Sequence, residues 1–322
     1  MVTSERVSLF YQIFNRIFKI FNPKFDEMYS FKKIGIVVDN TEIDEKIYKA
    51  CKMMNQSLLD IQEIHIIHTV KQEILPLQDA WVTEDIKEVI ALNENELRAN
   101  ISQNASQILG NQFKDKLSVH ILNGTPIDVI LNFQKETPMD IFIGGKKKDK
   151  SKSGRFVKDL IRSLSIPVMM IPEDIPEDWS LKSILVPYDY SEFSDKALKS
   201  ALAIQEKNTA ATIECLHLIN SPAFSSGSMV SSEKIIRYME EDRQMEFEAK
   251  MEELKIDKLP KFKIQVFDKF PGQEIQKRSV QGDFSLIVMG AKGHSILQRF
   301  FIGSVTEKVI ALNDSVPLLV VE

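Results

Sequence analysis

The chain has 322 residues, an apolar share of 43% and a net charge near −5. That length holds two domains of ordinary size and can fill real cores, while the small negative charge offers no basic field for nucleic acid. Two cysteines exclude a disulfide scaffold, five scattered histidines and the lack of CxxC give no metal-ligand spacing, and no apolar run is long enough to span a bilayer.

Residues 1–30 read as an N-terminal arm. Leu9, Phe10, Phe14, Ile17, Phe18 and Phe21 recur at helical spacing, with Arg16 and Lys19 between them. The mixed early charge and the missing small-residue cleavage site argue against a signal peptide. Three readings stay open: a helix lying on a membrane surface, a helix docked on an apolar patch, or a true start at Met28. A cytoplasmic location is expected.

From residue 31 the chain repeats itself. Ile34–Asp39 reads IGIVVD, and Ile184–Asp189, 150 residues later, reads ILVPYD. The following helices match: Ile43, Ile47, Cys51 and Met54 share a face, and Phe193, Ala197, Ala201 and Ile204 hold the same places. IHIIHTV at 64–70 answers CLHLINS at 215–221, DIFIGG at 140–145 answers SLIVMG at 285–290, and IPVMMI at 166–171 answers VPLLVV at 316–321. An internal duplication explains this, with an N-terminal domain over 31–171, a Pro-rich acidic linker over 172–180 and a C-terminal domain over 181–322. Each half reads as five strands alternating with four helices. Strands such as 184–188, 285–289 and 317–321 are almost wholly apolar, which predicts burial on both faces and an α/β fold of two tandem open parallel five-stranded sheets. The third strands, 118–122 and 262–267, are less apolar. Thr125–Pro126 predicts a capped helix start with proline at its first position.

Ligands of such sheets bind beyond the carboxyl ends of the strands, where the strand order reverses. That rule gathers Asp189, Asn220, Ser221, Gly290 and the loop to Gly303, with Ser304 opening the last helix. Backbone N–H groups of a glycine loop and a helix start suit phosphate oxygens, and Ser304 can add a hydroxyl or cap the helix. The alternative is a strand–turn–helix connection with no ligand. The loop is neither GxxxxGK[ST] nor GxGxxG, which disfavours a P-loop NTPase or a dinucleotide enzyme.

Gly290-x2-Gly293-x9-Gly303-Ser304, the aspartate ending ILVPYDYSEFS and the closing GSVTEKVI…VPLLVV together resemble the ATP-binding branch of the universal stress protein family, over 32–171 and 182–322. The resemblance implies an adenine nucleotide alpha hydrolase-like domain, ATP with or without Mg2+ as ligand, and two halves packed as an intramolecular pseudo-dimer. It places Pro187 and Asp189 near the adenine or ribose, Ser221 where valine often touches adenine, Met289 and Gly290 beside the ribose and α-phosphate, and Gly293, Gly303, Ser304 and Val305 around the phosphates. Lys292 and Arg299 could add charge or face solvent.

The N-terminal half departs from this pattern. Its loop from Gly145 to Gly154 spans nine positions against thirteen, Lys148 stands for Gly293, and Arg155 stands for serine. Its lysines at 146, 147, 148, 150 and 152 could still attract an anion, but a charge run on an exposed loop reads first as solvated surface. This half is expected to serve as a packing partner and regulatory half.

Catalysis finds little support. Cys51 and Cys215 read as core residues, His65 and His217 as structurally equivalent strand positions, and His294 as a loop residue that could touch phosphate or act as an acid but more simply faces solvent. No residue qualifies as a base for hydrolysis, so slow turnover is the most that is expected. The resemblance implies an ATP-binding stress-response protein acting through nucleotide-dependent contacts; the alternative expectation is a nucleotide-independent interaction module. Homo-oligomers of the whole chain, paired through the arm and outer helices, are also expected.

Overall fold

The computed structural model describes residues 31–55, 60–70, 84–148, 154–220, 232–267, 270–293 and 301–322; the N-terminal arm lies outside them. In the first half the apolar runs form β1 (Lys33–Val38), β2 (Glu63–Val70), β3 (Leu117–Asn123), β4 (Ile141–Lys146) and β5 (Val168–Pro172). Between them lie α1 (Glu42–Met54), α2 (Glu84–Leu109), α3 (Pro126–Glu136) and α4 (Arg155–Ser163). The second half repeats the order with β6 (Ser183–Pro187), α5 (Glu192–Lys207), β7 (Thr212–Asn220), α6 (Ser232–Glu253), β8 (Lys261–Phe267), α7 (Pro271–Gln281), β9 (Leu286–Gly290), α8 (Ser304–Leu312) and β10 (Leu318–Val321). This is a Rossmann-like α/β fold with two similar halves.

Within each half the strands are parallel, in the orders β3-β2-β1-β4-β5 and β8-β7-β6-β9-β10. The fully apolar strands β5, β9 and β10 are buried throughout, while the less apolar β3 and β8 form the two edges. Alternate strand residues feed two cores. Ile36, Ile66 and Val186 pack under α1, α2, α5 and α6, and Phe142, Met170, Ile287 and Leu318 pack under α3, α4, α7 and α8.

The expectation of two separate sheets requires one correction. β5 and β10 pair antiparallel, giving a single ten-stranded sheet. Met169 faces Leu319, flanked by Met170–Leu318 and Val168–Val320. The registers β4–β5 and β9–β10 make Met169 and Leu319 the same position of the repeat, so a local two-fold axis crosses the seam. Pairing satisfies backbone groups that two bare apolar edges would otherwise leave unmet. The pseudo-dimeric arrangement of the halves therefore runs through the sheet itself.

The connecting segment after β5 is packed down. Ile175, Trp179 and Leu181 are buried, Trp179 Nε1 donates to the Ser285 carbonyl at 2.7 Å, and Asp174 N donates to the Asp314 carbonyl at 3.0 Å. Two local expectations also change. Pro126 does open α3, but the Thr125 side chain makes no capping bond. His217 matches His68, not His65: each bonds a carbonyl at the end of the neighbouring strand, His68 that of Val38, the last residue of β1, at 3.1 Å and His217 that of Tyr188, just past β6, at 2.8 Å. The β1–β2 and β6–β7 registers put His65 level with Glu214 instead. Among the described residues no helix is long and apolar enough to cross a membrane.

Candidate functional site

β6 and β9 are neighbours, and beyond them the chain runs outward in opposite directions across the sheet. Their carboxyl ends form the switch point of the C-terminal half. β6 ends at the half-buried Pro187. After Tyr188 comes Asp189, whose Oδ1 accepts from Ser191 N at 3.1 Å and from Ser191 Oγ at 2.5 Å. Ser191 in turn caps α5, its Oγ accepting from Ser194 N at 3.2 Å. The carboxylate is thus fixed by a helix cap rather than left to swing.

β9 delivers the glycines to the same place. A Cβ on Gly290 would lie 2.6 Å from Phe193 Cβ and 2.8 Å from its carbonyl carbon, so only glycine lets β9 end this close to α5. A Cβ on Gly293 would lie 2.7 Å from Asp189 Oδ2. Gly303 N donates to the Ala291 carbonyl at 2.8 Å, and a Cβ on Gly303 would lie within 3.8 Å of Gly293 N. Asp189, Gly290, Gly293 and Gly303 therefore converge at the start of α8.

The N-cap of α8 is Gly303, so Ser304 is the first helical residue; its side chain is exposed and does not cap. The first free N–H groups of α8 and its positive dipole end open onto the loop. Thr306 Oγ1 donates to the Gly290 carbonyl at 3.0 Å, tying this turn back to β9. Val305 is half-buried, and Met289 is buried in the core under α7 and α8, so only its backbone lies near the strand end. Ser221, His294 and Arg299 lie outside the described residues. Lys292 does not face solvent: its Nζ meets Glu322 Oε1 at 3.1 Å and its side chain is only 9% exposed.

An open cleft of about 500 Å³ extends from Asp189 and Tyr190 over His217 to α6, where Arg243, Glu246 and Lys250 line it. Tyr190 has φ of 64°, uncommon for a bulky residue, and Asn40 has φ of 60° at the matching turn of the first half. The Tyr190 hydroxyl donates to the Arg243 carbonyl at 2.8 Å, and its ring meets His217 edge-on at 5.0 Å between centroids. Burial pushes the Tyr190 hydroxyl up and His217 down, so both stay neutral near pH 7. Sequence reasoning did not find this wall. α6 is polar along most of its length, and its approach to Tyr190 follows only from the tertiary packing.

The matching place in the N-terminal half is filled by its own side chains. Lys147 Nζ meets Asp39 Oδ2 at 2.5 Å, and Asp39 Oδ1 accepts from Thr41 Oγ1. Lys148 pairs with Asp174 at 2.8 Å, and its backbone N donates to Glu173 at 2.6 Å. The reading of the lysine run as solvated surface fails at Lys146, which is 1% exposed. Lys150 and Lys152 lie outside the described residues. Cys51 and Cys215 are buried, and burial pushes both thiols up, which keeps them protonated and unreactive. Among the described residues no group of three His, Cys, Asp or Glu could hold a metal ion.

Comparison with known proteins bears on the family and the fold. Residues 180–322 match the universal stress protein family profile. A universal stress protein of Methanocaldococcus jannaschii is 28% identical over 141 residues, 44% of this chain and 82% of that protein. The solved universal stress protein of Archaeoglobus fulgidus superposes with a TM-score of 0.61 at 17% identity, covering 92% of this chain and 98% of that one. A Pseudomonas aeruginosa structure described as a universal stress protein gives a TM-score of 0.58 at 18% identity over 92% and 94%. At these identities the two structures speak for the fold, which they extend across both halves.

Proposed function

We propose that the chain binds one adenine nucleotide, ATP, in its C-terminal half, and that occupancy alters how the protein docks to partners, a reading supported by the match of residues 180–322 to the universal stress protein family profile. The observation that carries this reading is the convergence of Asp189, Gly290, Gly293 and Gly303 on the free amides of α8. Phosphates would sit against those amides and the Gly293–Gly303 backbone, where a Cβ on Gly293 would strike Asp189. Asp189 would face the ribose or base, with Pro187 behind it. Any Mg2+ would arrive with the phosphates, since the described residues offer no cluster to hold it alone.

A second reading, an interaction module that works without nucleotide, is favoured by the first half, where Lys147 on Asp39 fills the matching place and the fold persists. Isothermal titration of the full chain with ATP, paired with native mass spectrometry, separates the two. One ATP per chain is expected. Two equal sites would overturn the asymmetry, and no heat with no bound mass would leave the interaction module. Neither reading requires turnover, for among the described residues near the loop no side chain is placed as a base for water.

A further inference from the structure

Lys146 ends β4 in the N-terminal half, yet its side chain is fully buried and reaches into the C-terminal half. Its ammonium donates to the carbonyls of Ala311 at 3.1 Å and Asn313 at 2.9 Å, and to Asp314 Oδ1 at 2.6 Å. Three N–H donors meet three acceptors, so the group is fully satisfied. The acceptors cluster where α8 ends, with Asn313 as its C-cap. Carbonyls at a helix end have no partner inside the helix and carry the negative end of its dipole, so a cation there is doubly favoured.

The same half grips α8 further up. Lys158 Nζ and Arg162 Nη2 of α4 both meet Glu307 Oε1 at 3.2 Å. Gly154 leaves room for Ile310, whose Cγ2 would lie 3.0 Å from a Cβ there. The interaction at Lys146 has no counterpart across the local two-fold. The β1–β4 and β6–β9 registers put Ala291 at its position in the second half. An apolar side chain would close such a seam without the desolvation that burying an ammonium demands. A buried ion with three directed bonds instead fixes one orientation of the helix it meets.

We infer that Lys146 is a positioning residue for the anion site of the opposite half. It sets the place of α8 along and about its axis, and so aims the first amides of that helix, about 13 Å away, at the glycine loop. The first half has given up its own glycine loop and uses the lysine that follows β4 to hold its neighbour's. The inference rests on the nucleotide reading above.

The test is Lys146→Met in the full chain, with ATP and adenosine as separate probes and hydrogen exchange of the unliganded protein alongside. ATP should bind at least tenfold more weakly while adenosine, which lacks phosphates, changes less than twofold. Amides of Glu307 to Ile310 should exchange at least tenfold faster, with β6 and β9 unaltered. Equal weakening of both ligands would make Lys146 merely structural, and unchanged ATP affinity would overturn the inference outright. Should the wild-type chain take no ATP, the nucleotide reading falls and takes the role toward phosphate with it; the exchange data then report separately whether Lys146 anchors α8. Should Lys146→Met fail to fold, Asp314→Asn keeps the lysine and removes the charge of one acceptor. It should weaken ATP about threefold with adenosine unaffected, and no change there would equally refute the role.

Discussion

Replacing Gly293 with alanine puts the cradle to a graded test. The new Cβ would stand 2.7 Å from Asp189 Oδ2, so the carboxylate must retreat by about 0.7 Å to reach ordinary contact. Retreat strains the bonds from Ser191 N and Oγ to Oδ1. Hydrogen bonds to a charged group contribute about 1.5–3 kcal/mol each, and water at this exposed carboxylate offsets part of that. A loss of about 1.4 kcal/mol, tenfold in ATP affinity, is the expected result. Gly144→Ala is the matched control, because it lies on β4 in the N-terminal half and the nearest atom to its Cβ is Val157 Cγ2 at 3.6 Å, an ordinary contact. It should change affinity less than threefold. Titration calorimetry measures both, and circular dichroism checks that each folds. Wild-type affinity in Gly293→Ala, or an equal loss in Gly144→Ala, would refute the placement of the ligand between Asp189 and the loop.

Leu319→Ala, at the centre of the seam and fully buried, should destabilise the chain by about 3–5 kcal/mol in urea melts followed by circular dichroism, with both halves unfolding in one transition. A mutant whose C-terminal half alone melts early would show that β10 serves only its own half. Melting temperature should fall on acidification below pH 6.5. Burial holds His120 and His217 below their usual value, so the unfolded chain binds more protons there, and stability is lost as pH falls through their folded values. Asp44, raised to about 6 by burial and then by Asp39, works in the opposite sense, adding stability as pH falls from 6 toward 4. His217→Gln keeps a donor for the Tyr188 carbonyl and should flatten the loss between pH 6.5 and 5.5; an unaltered slope would assign the loss elsewhere.

The repeat, the parallel halves and the glycines at the strand ends could be read from sequence because each leaves a local trace. Wholly apolar strands signal burial on two faces, and Gly290 and Gly293 signal backbone that comes close to something. The antiparallel union of β5 with β10 leaves none, since PVMMI and PLLVV read the same whether the outer edge meets a helix or another strand. Lys146 was misread for a related reason. In a run of lysines one member looks like the next, and only the tertiary path of β4 separates the side chain that turns inward from those that pair near the surface. Tyr190 escaped notice because its unusual backbone and its bond to α6 depend on a helix more than fifty residues away.

The local two-fold through Met169 and Leu319 has a consequence for how such a molecule can change. In a pair of identical chains every substitution appears twice, once on each side of the axis, so a residue useful on one side must be tolerated on the other. A single chain that contains both sides is free of that rule. Lysine at 146 beside alanine at 291, and lysine at 148 beside glycine at 293, are combinations that no pair of identical subunits could encode. Joining the halves in one chain permits a division of labour in which one side is free to specialise as ligand site and the other as its support.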